Sequence, residues 1–433
     1  MNSTTVDSDR PLPLIGATRG EWPAFAMSFL YFFCVLAAYY VIRPVREQLG
    51  AAAGGSAVLP QIWLIVFVVM LILTPVYGVL VARFPRRWFI PVVYVFFAAG
   101  MLLMSVVLGN ETPTPTLAIT FYVWVGVFNL FVVAVFWSYM ADIFTDEQAR
   151  RLFGPIGVGG TAGAVAGPLA ALNLVHSIGV SGLLVISAGL LMLAVGCAIA
   201  VGRWARIHGR RDPRLADQVI GGSLLAGARL VFSHPFLRRM AVLLLLSDMI
   251  GTLLYALNLD LGASLFTSKE DRTAFFAMLD LYVNSTQILL QLLVAPWLLT
   301  RIGPAKTLMA AAAVNAVSLL CLALFPGAFW LMAALVISRA GGYGLVGPAR
   351  ESLYTRVDRE ARYKAKGFID TAVWRGGDVF SSTLLNLLKS AGANLMHLGF
   401  LCVGTALAAI YLSRNIEKLP GLEAAEPTPR KPR

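Results

Sequence analysis

Apolar runs of about twenty residues recur along the chain, and no other feature restricts its fold so sharply. The first run extends from Pro23 through Ile42. A run of that length crosses the hydrocarbon core of a bilayer as a single helix. Such runs place spans near residues 24–43, 60–82, 88–108, 117–139, 154–174, 180–202, 238–261, 273–299, 305–325, 328–348, 366–388 and 393–413. The composition agrees, with 58% hydrophobic and only 13% charged residues, where a soluble chain of 433 residues would form two or three domains with a charged surface. The expected fold class is an all-α membrane protein, with twelve transmembrane helices in two pseudo-symmetric six-helix halves. The expected segments are a tail at 1–23, a first half at 24–202, a loop at 203–237, a second half at 238–413 and a tail at 414–433. Met1 to Trp22 is polar and carries both signs, so a cleavable signal is not expected.

Basic residues give the orientation. With the N-terminus cytoplasmic, 28 of the 35 Lys and Arg fall in cytoplasmic segments. Arg43, Arg46, Lys269, Arg272 and Lys389 fall outside, and Arg339 and Arg375 lie within spans. Lys and Arg are retained on the cytoplasmic side, so both termini are expected there, in a bacterial inner membrane. The net charge of +12 is then mostly topology and not a nucleic-acid footprint.

Cys34, Cys197, Cys321 and Cys402 each sit in a different apolar run and read as small core residues. His176, His208, His234 and His397 are scattered, with no metal-ligand spacing. "GVGGTA" (157–162) fits a dinucleotide-binding fingerprint but lies in a span with no strand before it, so its glycines are expected to allow close helix packing. No hydrolase motif is present. The expectation is therefore no enzyme, no cofactor and no nucleic-acid partner.

The two halves echo each other. "PVYGVLVARFPRRWF" (75–89) and "PWLLTRIGPAKTL" (296–308) both run from Pro through an apolar stretch into a short basic turn. "DEQARRLFG" (146–154) and "DREARYKAKG" (358–367) both place Ala three and Arg four residues after Asp. Arg83 and Arg301 are 218 residues apart, and Asp146 and Asp358 are 212. Matched loops imply parallel repeats, whose interface is expected to hold a midplane site. This layout resembles the major facilitator superfamily. "YGVLVARFPRR" is similar to the signature between that family's second and third helices, with Ala82 where its Asp usually stands.

Ionisable groups inside spans are expected to face a cavity or a partner. Asp280, Asn284, Gln287 and Gln291 follow one another at spacings of 4, 3 and 4, one face of a helix. That stripe reads as a cavity wall or as a polar seam between helices. "SRAGGYGLVGP" sets Arg339 among Gly341, Gly342, Gly344 and Gly347, which suits a bending, gating helix around a substrate-facing arginine. Arg375 either faces substrate or only pairs with Asp378, three residues on; Asp370 lies on the same span. Asp248 and Asp260 are candidates for proton or cation coupling, or for pairing with these arginines. Asn129 is either a ligand or a helix–helix hydrogen bond.

"YYVIRPVREQLG" (39–50) ends the first span in Arg43, Pro44, Arg46 and Glu47 before an expected turn at Gly50. Tyr39, Arg43 and Arg46 share a helix face. The stretch is similar to the first-helix motif of the nucleotide (ATP/ADP) translocases, an aromatic-rich Leu-Arg-Asp-x-Lys-Asp-type sequence whose basic residue is implicated in nucleotide binding. Arg43 matches the family's Arg, and Arg46 stands for its Lys; Pro44 and Glu47 replace the two Asp residues. "FWSYMADIFTDEQARRLFGPIGVGG" (136–160) and "REARYKAKGFIDTAVWRGGD" (359–378) resemble two further segments of that family. Val125 and Ala141 depart from its acidic and Asn positions.

The resemblance implies a carrier of a small anionic, nucleotide-like solute, working by alternating access, with exchange as one mode; a monomer is expected. Arg43, Arg46, Asn129, Asp280, Asn284, Arg339 and Arg375 are the expected binding residues. Glu47, Asp248, Asp260, Asp370 and Asp378 are the expected gating or coupling residues. Arg43 and Arg46 would bind the anion, or lock a gate by pairing with Glu47 or with acids of the other half. The alternatives are a proton-coupled carrier of another organic solute, and a transporter-fold sensor or membrane partner protein.

Overall fold

Each expected span is a helical rod in the computed structural model, which describes residues 17–83, 86–110, 114–208, 224–357, 365–366 and 368–420. No strand occurs among the described residues. In chain order the helices are α1 (Trp22–Ala52), α2 (Leu59–Arg83), α3 (Arg86–Asn110), α4 (Pro115–Ile143), α5 (Asp146–His208), α6 (Leu224–Ser233) and α7 (Pro235–Leu265). There follow α8 (Lys269–Leu289), α9 (Ala295–Arg301), α10 (Pro304–Leu324), α11 (Ala328–Gly341), α12 (Gly347–Tyr354), α13 (Trp374–Ser390) and α14 (Leu395–Ser413).

Three rods are composite, each containing a π turn: Leu290–Val294 joins α8 to α9, Gly342–Val346 joins α11 to α12, and Ile369–Val373 leads into α13. α5 is two rods, because Gly179 breaks it with φ 69°, a backbone state that costs glycine nothing. Nine helices among the described residues are long and apolar enough to cross a membrane, α5 counted once. Its break, together with α2 and α13, brings the rods to twelve.

Two compact units divide the chain. Unit 1 comprises Met1–Gly55, Val68–Val219 and Gly262–Asn284; unit 2 comprises Ser56–Phe67, Ile220–Leu261 and Ser285–Arg433. The helices α2, α7 and α8 change unit along their length.

In unit 1, α1 packs along α5. The glycines of α5 make this possible: a Cβ at Gly159 would lie 2.4 Å from the Phe29 carbonyl oxygen, and one at Gly163 2.4 Å from that of Phe33. With Gly167, whose Cβ would meet the Tyr40 Cβ at 2.7 Å, they form a stripe at every fourth residue. Small residues at that spacing let helix backbones touch where the bilayer supplies no hydrophobic drive between helices. So Gly159 and Gly160 of "GVGGTA" serve packing, whereas Gly157 faces open space.

The aromatic core beside this seam stacks Phe32 on Phe136 at 4.2 Å. The Tyr31 hydroxyl donates to that of Tyr94 (2.7 Å), and Tyr94 donates to the Val132 carbonyl (3.0 Å). Both of these buried tyrosine hydroxyls thus have a partner. Thr18 and Glu21 exchange backbone and side-chain hydrogen bonds ahead of α1, a capping box. Glu21 also accepts from Gln148 and, through both oxygens, from Arg151 at the start of α5. Burial alone would raise the Glu21 carboxyl, but hydrogen bonds from Arg151, the Thr18 N–H and Gln148 hold it below the usual range.

Unit 2 uses the same device between α10 and α14, where a Cβ at Gly399 would come within 2.9 Å of Ala323 Cα. Its core gathers Phe236, Leu237, Met240, Leu353 and Tyr354. The first two π turns pack together at Gly344, whose Cβ would sit 2.9 Å from Leu290 Cβ and 3.0 Å from the Gln287 carbonyl.

The side chains of "YGVLVARFPRR", the acidic first residue of "DEQARRLFG", most of "DREARYKAKG" and the tail beyond residue 420 lie outside the described residues.

Candidate functional site

The first candidate cluster belongs to the C-terminal half of α1. The helix does not turn at Gly50, as the sequence suggested; it continues through Pro44 to Ala52. Proline at an interior position removes a backbone donor, yet the helix runs on across Pro44. Arg43, Arg46 and Glu47 therefore lie within a helix, and all three are buried, Arg43 and Arg46 at 8% exposure and Glu47 at 3%.

Their partners are specific. Arg43 Nη1 meets Asp280 Oδ1 of α8 at 3.1 Å, and its Nε lies 3.6 Å from Glu47 Oε1 one turn along. Arg46 Nη2 donates to the same Glu47 oxygen at 2.5 Å. The guanidinium of Arg46 lies over the Tyr122 ring (4.8 Å), and that of Arg43 over Tyr40 (5.6 Å). One turn beyond Asp280, Asn284 donates to the Ala164 carbonyl of α5 at 2.6 Å. Two cations and two carboxylates thus balance inside unit 1, as buried charges must.

The polar stripe on α8 is shorter than its spacing implied. Asp280 and Asn284 are buried, Gln287 is half-buried and Gln291 is exposed. The π turn beginning at Leu290 takes in Gln291, so the α-helical count does not carry across it. Asn129 is half-buried on α4.

The second cluster lies in unit 2. On α7, Asp248, Thr252 and Tyr255 follow at spacings of four and three, one helix face. Thr252 Oγ1 donates to Asp378 Oδ1 (3.0 Å), and Arg375 Nη1 donates to Asp378 Oδ2 (3.1 Å). Asp248 Oδ2 is buried without a hydrogen-bond partner among the described residues and lies where a Cβ at Gly377 would come within 2.7 Å. Arg375 also lies over the Trp63 ring (5.9 Å), and Arg339 over the Tyr255 ring (4.9 Å); the two rings are 6.3 Å apart.

Arg339 is half-buried and has no carboxylate within 4.0 Å among the described residues. Thr252, Tyr255 and Trp63 escaped the sequence reading, although the four-and-three spacing from Asp248 was available for the first two. Nothing in the sequence links Trp63 to Arg375.

Two other predicted acids are committed to local ties. Asp260 accepts from the Ser56 N–H (2.7 Å) and from Lys389, which also donates to Ser56 Oγ (2.9 Å). Asp370 lies 3.7 Å from Arg350 Nη1. No group of three or more His, Cys, Asp or Glu able to hold a metal occurs among the described residues.

The Major Facilitator Superfamily model matches residues 24–382. None of the curated proteins is a significant match. Among solved structures, the nucleoside transporter NupG superposes with a TM-score of 0.60 at 13% identity, covering 93% of this chain and 99% of its own. The POT family transporter PepTSo gives 0.62 at 14%, covering 92% and 98%. A bacterial homologue of the iron transporter ferroportin, in an inward-facing state, gives 0.59 at 15%, covering 92% and 97%. At these identities the likeness is one of fold.

Proposed function

Because the chain belongs to the Major Facilitator Superfamily, and so is a membrane transporter of a small solute and not an enzyme, we propose that its solute is anionic and nucleotide-like. Arg339 carries this reading. It is a permanent cation within a span, half-buried, and no carboxylate contacts it within 4.0 Å among the described residues, although Asp248 and Asp378 lie near enough to feel its charge. An intramembrane guanidinium that no carboxylate touches directly still has donors a ligand anion can fill. Arg375 and the rings of Trp63 and Tyr255 stand beside it, so a planar base could stack while a phosphate meets guanidinium.

The similarity of "YYVIRPVREQLG" to the ATP/ADP translocases points the same way, and a nucleoside transporter is among the structures of like fold. Basic residues favour cytoplasmic termini in a bacterial inner membrane. A monomer and exchange of solutes complete the reading.

The test is uptake of labelled ATP into proteoliposomes loaded with ADP or buffer, with and without a proton gradient. ADP-dependent uptake that Arg339→Gln removes, at unchanged thermal stability, is the expected result. ATP uptake unaffected by Arg339→Gln would refute the assignment of the site. A folded protein that moves no nucleotide would refute the solute class.

A proton-coupled carrier is the second reading. Asp248 favours it, since its buried Oδ2 lacks a hydrogen-bond partner among the described residues. Uptake driven by a proton gradient alone, lost in Asp248→Asn, would select it.

A further inference from the structure

An acid is an unexpected occupant of an anion site, and Asp280 sits directly on Arg43. Both are buried, Asp280 at 5% exposure and Arg43 at 8%. Their contact, Arg43 Nη1 to Asp280 Oδ1 at 3.1 Å, joins α1 to α8. The nearby Arg46 is held by Glu47 of its own helix, so only the Arg43 charge is balanced from another element by a contact seen here. The satisfaction is incomplete: Arg43 Nε, with Glu47 Oε1 at 3.6 Å, and Arg46 Nε are both buried donors that make no hydrogen bond among the described residues. Asp280 and Glu47 together leave part of this donor array without a hydrogen bond.

Resting on the reading of an anionic solute, we propose that Asp280 is a built-in competing ligand that the transported anion must displace from Arg43, and that this competition selects phosphate over carboxylate headgroups. The reasoning compares what each anion brings. A free carboxylate offers Arg43 the same charge and the same two oxygens as Asp280. It must also give up translational and rotational freedom that the tethered group has already lost. It therefore gains nothing by displacing Asp280. A phosphate monoester carries a charge of about −1.5 to −2 and three acceptor oxygens. It can occupy the Nη and Nε edge of a guanidinium together, including the donor now unfilled.

Displacement has a structural consequence. Asp280 and Arg43 are buried, so an anion reaches Arg43 only when α8 draws off α1. The neutral Asn284–Ala164 hydrogen bond, one turn along α8, carries no charge that this exchange would leave unbalanced. Binding and the parting of α1 from α8 are then one event, and headgroup selection is made at that step.

The experiment compares AMP with adenosine 5′-carboxylate, which share a nucleoside and differ at the anionic group. Binding of each is measured to the full-length purified protein, to Asp280→Asn and to Asp280→Glu, with folding checked by thermal unfolding. The wild type is expected to favour AMP by about tenfold or more. Asp280→Asn should bind both probes more tightly, the carboxylate most, so that the preference falls to about twofold, while Asp280→Glu keeps the wild-type preference.

A wild-type protein that binds the carboxylate as tightly as AMP overturns the proposal without any variant, as does an unchanged preference in folded Asp280→Asn. Either result leaves the anionic-solute reading in place. A folded wild type that binds neither probe overturns both.

Discussion

The α1–α5 seam makes a quantitative prediction with a built-in control. Replacing Gly163 by Ala adds one methyl group, which would lie 2.4 Å from the Phe33 carbonyl oxygen and 2.9 Å from the Ala37 nitrogen. Ordinary contact begins at 3.4 Å, so the two backbones must separate by about 1 Å. The obstacle is main chain, which has no rotamer to move away in. A gap of that size forfeits between a quarter and a half of each dispersion contact along the seam, and overpacking in general costs about 1–3 kcal/mol. We expect about 3 kcal/mol for Gly163→Ala, the upper end of that range.

Gly157, six residues earlier on α5, would place its Cβ with no atom within 4 Å. Gly157→Ala meets nothing and should gain up to about 0.8 kcal/mol of helix propensity. The assay is reversible unfolding from mixed micelles, followed by intrinsic tryptophan fluorescence. A Gly163→Ala protein as stable as the wild type would refute the close-contact account, and so would a Gly157→Ala protein as damaged as Gly163→Ala.

Two further perturbations have defined signs. The Glu21 carboxyl is held below its ordinary value, so its stabilising contribution is complete above about pH 4.3 and is lost as pH falls through the lower folded value. Thermal unfolding recorded from about pH 6 to about pH 3 should show a steeper acid loss in the wild type than in Glu21→Gln. Asp378→Asn leaves Arg375 without its carboxylate but keeps the acceptor for Thr252. Because a third of the Arg375 side chain is exposed, the loss should be about 1–3 kcal/mol, less than for a fully buried pair. Thermal unfolding of the two proteins side by side reads it.

The spans were legible because bilayer thickness imposes a length and a polarity that few other folds satisfy. The site was legible only in part. Arg43 and Glu47 stand four apart, and that spacing announced a helix continuing past Ile42 with its charges paired along one face. The apolar count stopped at the first arginine, but the shared face of Tyr39, Arg43 and Arg46 and the pairing with Glu47 were both legible. The Arg375–Asp378 pairing was equally local, and the structure shows it. By contrast, Asp280 reaches Arg43 across 237 positions of chain, Lys389 reaches Ser56 across 333, and no local periodicity encodes either contact. The break at Gly179 falls in the gap the sequence left between the spans 154–174 and 180–202, although a glycine permits the unusual φ there without announcing it.

The π turns bear on how the two halves of this chain should be compared with each other. A π turn carries one residue more than the α turn it interrupts. Each extra residue rotates everything beyond it by about 100° relative to an unbroken helix. Three such insertions occur in the second six helices, within Leu290–Val294, Gly342–Val346 and Ile369–Val373. A single-residue gap in an alignment of the halves therefore belongs inside a membrane helix, where gaps are usually forbidden, and not in the adjoining loop. Placed there, it keeps equivalent helix faces in register on both sides of the turn.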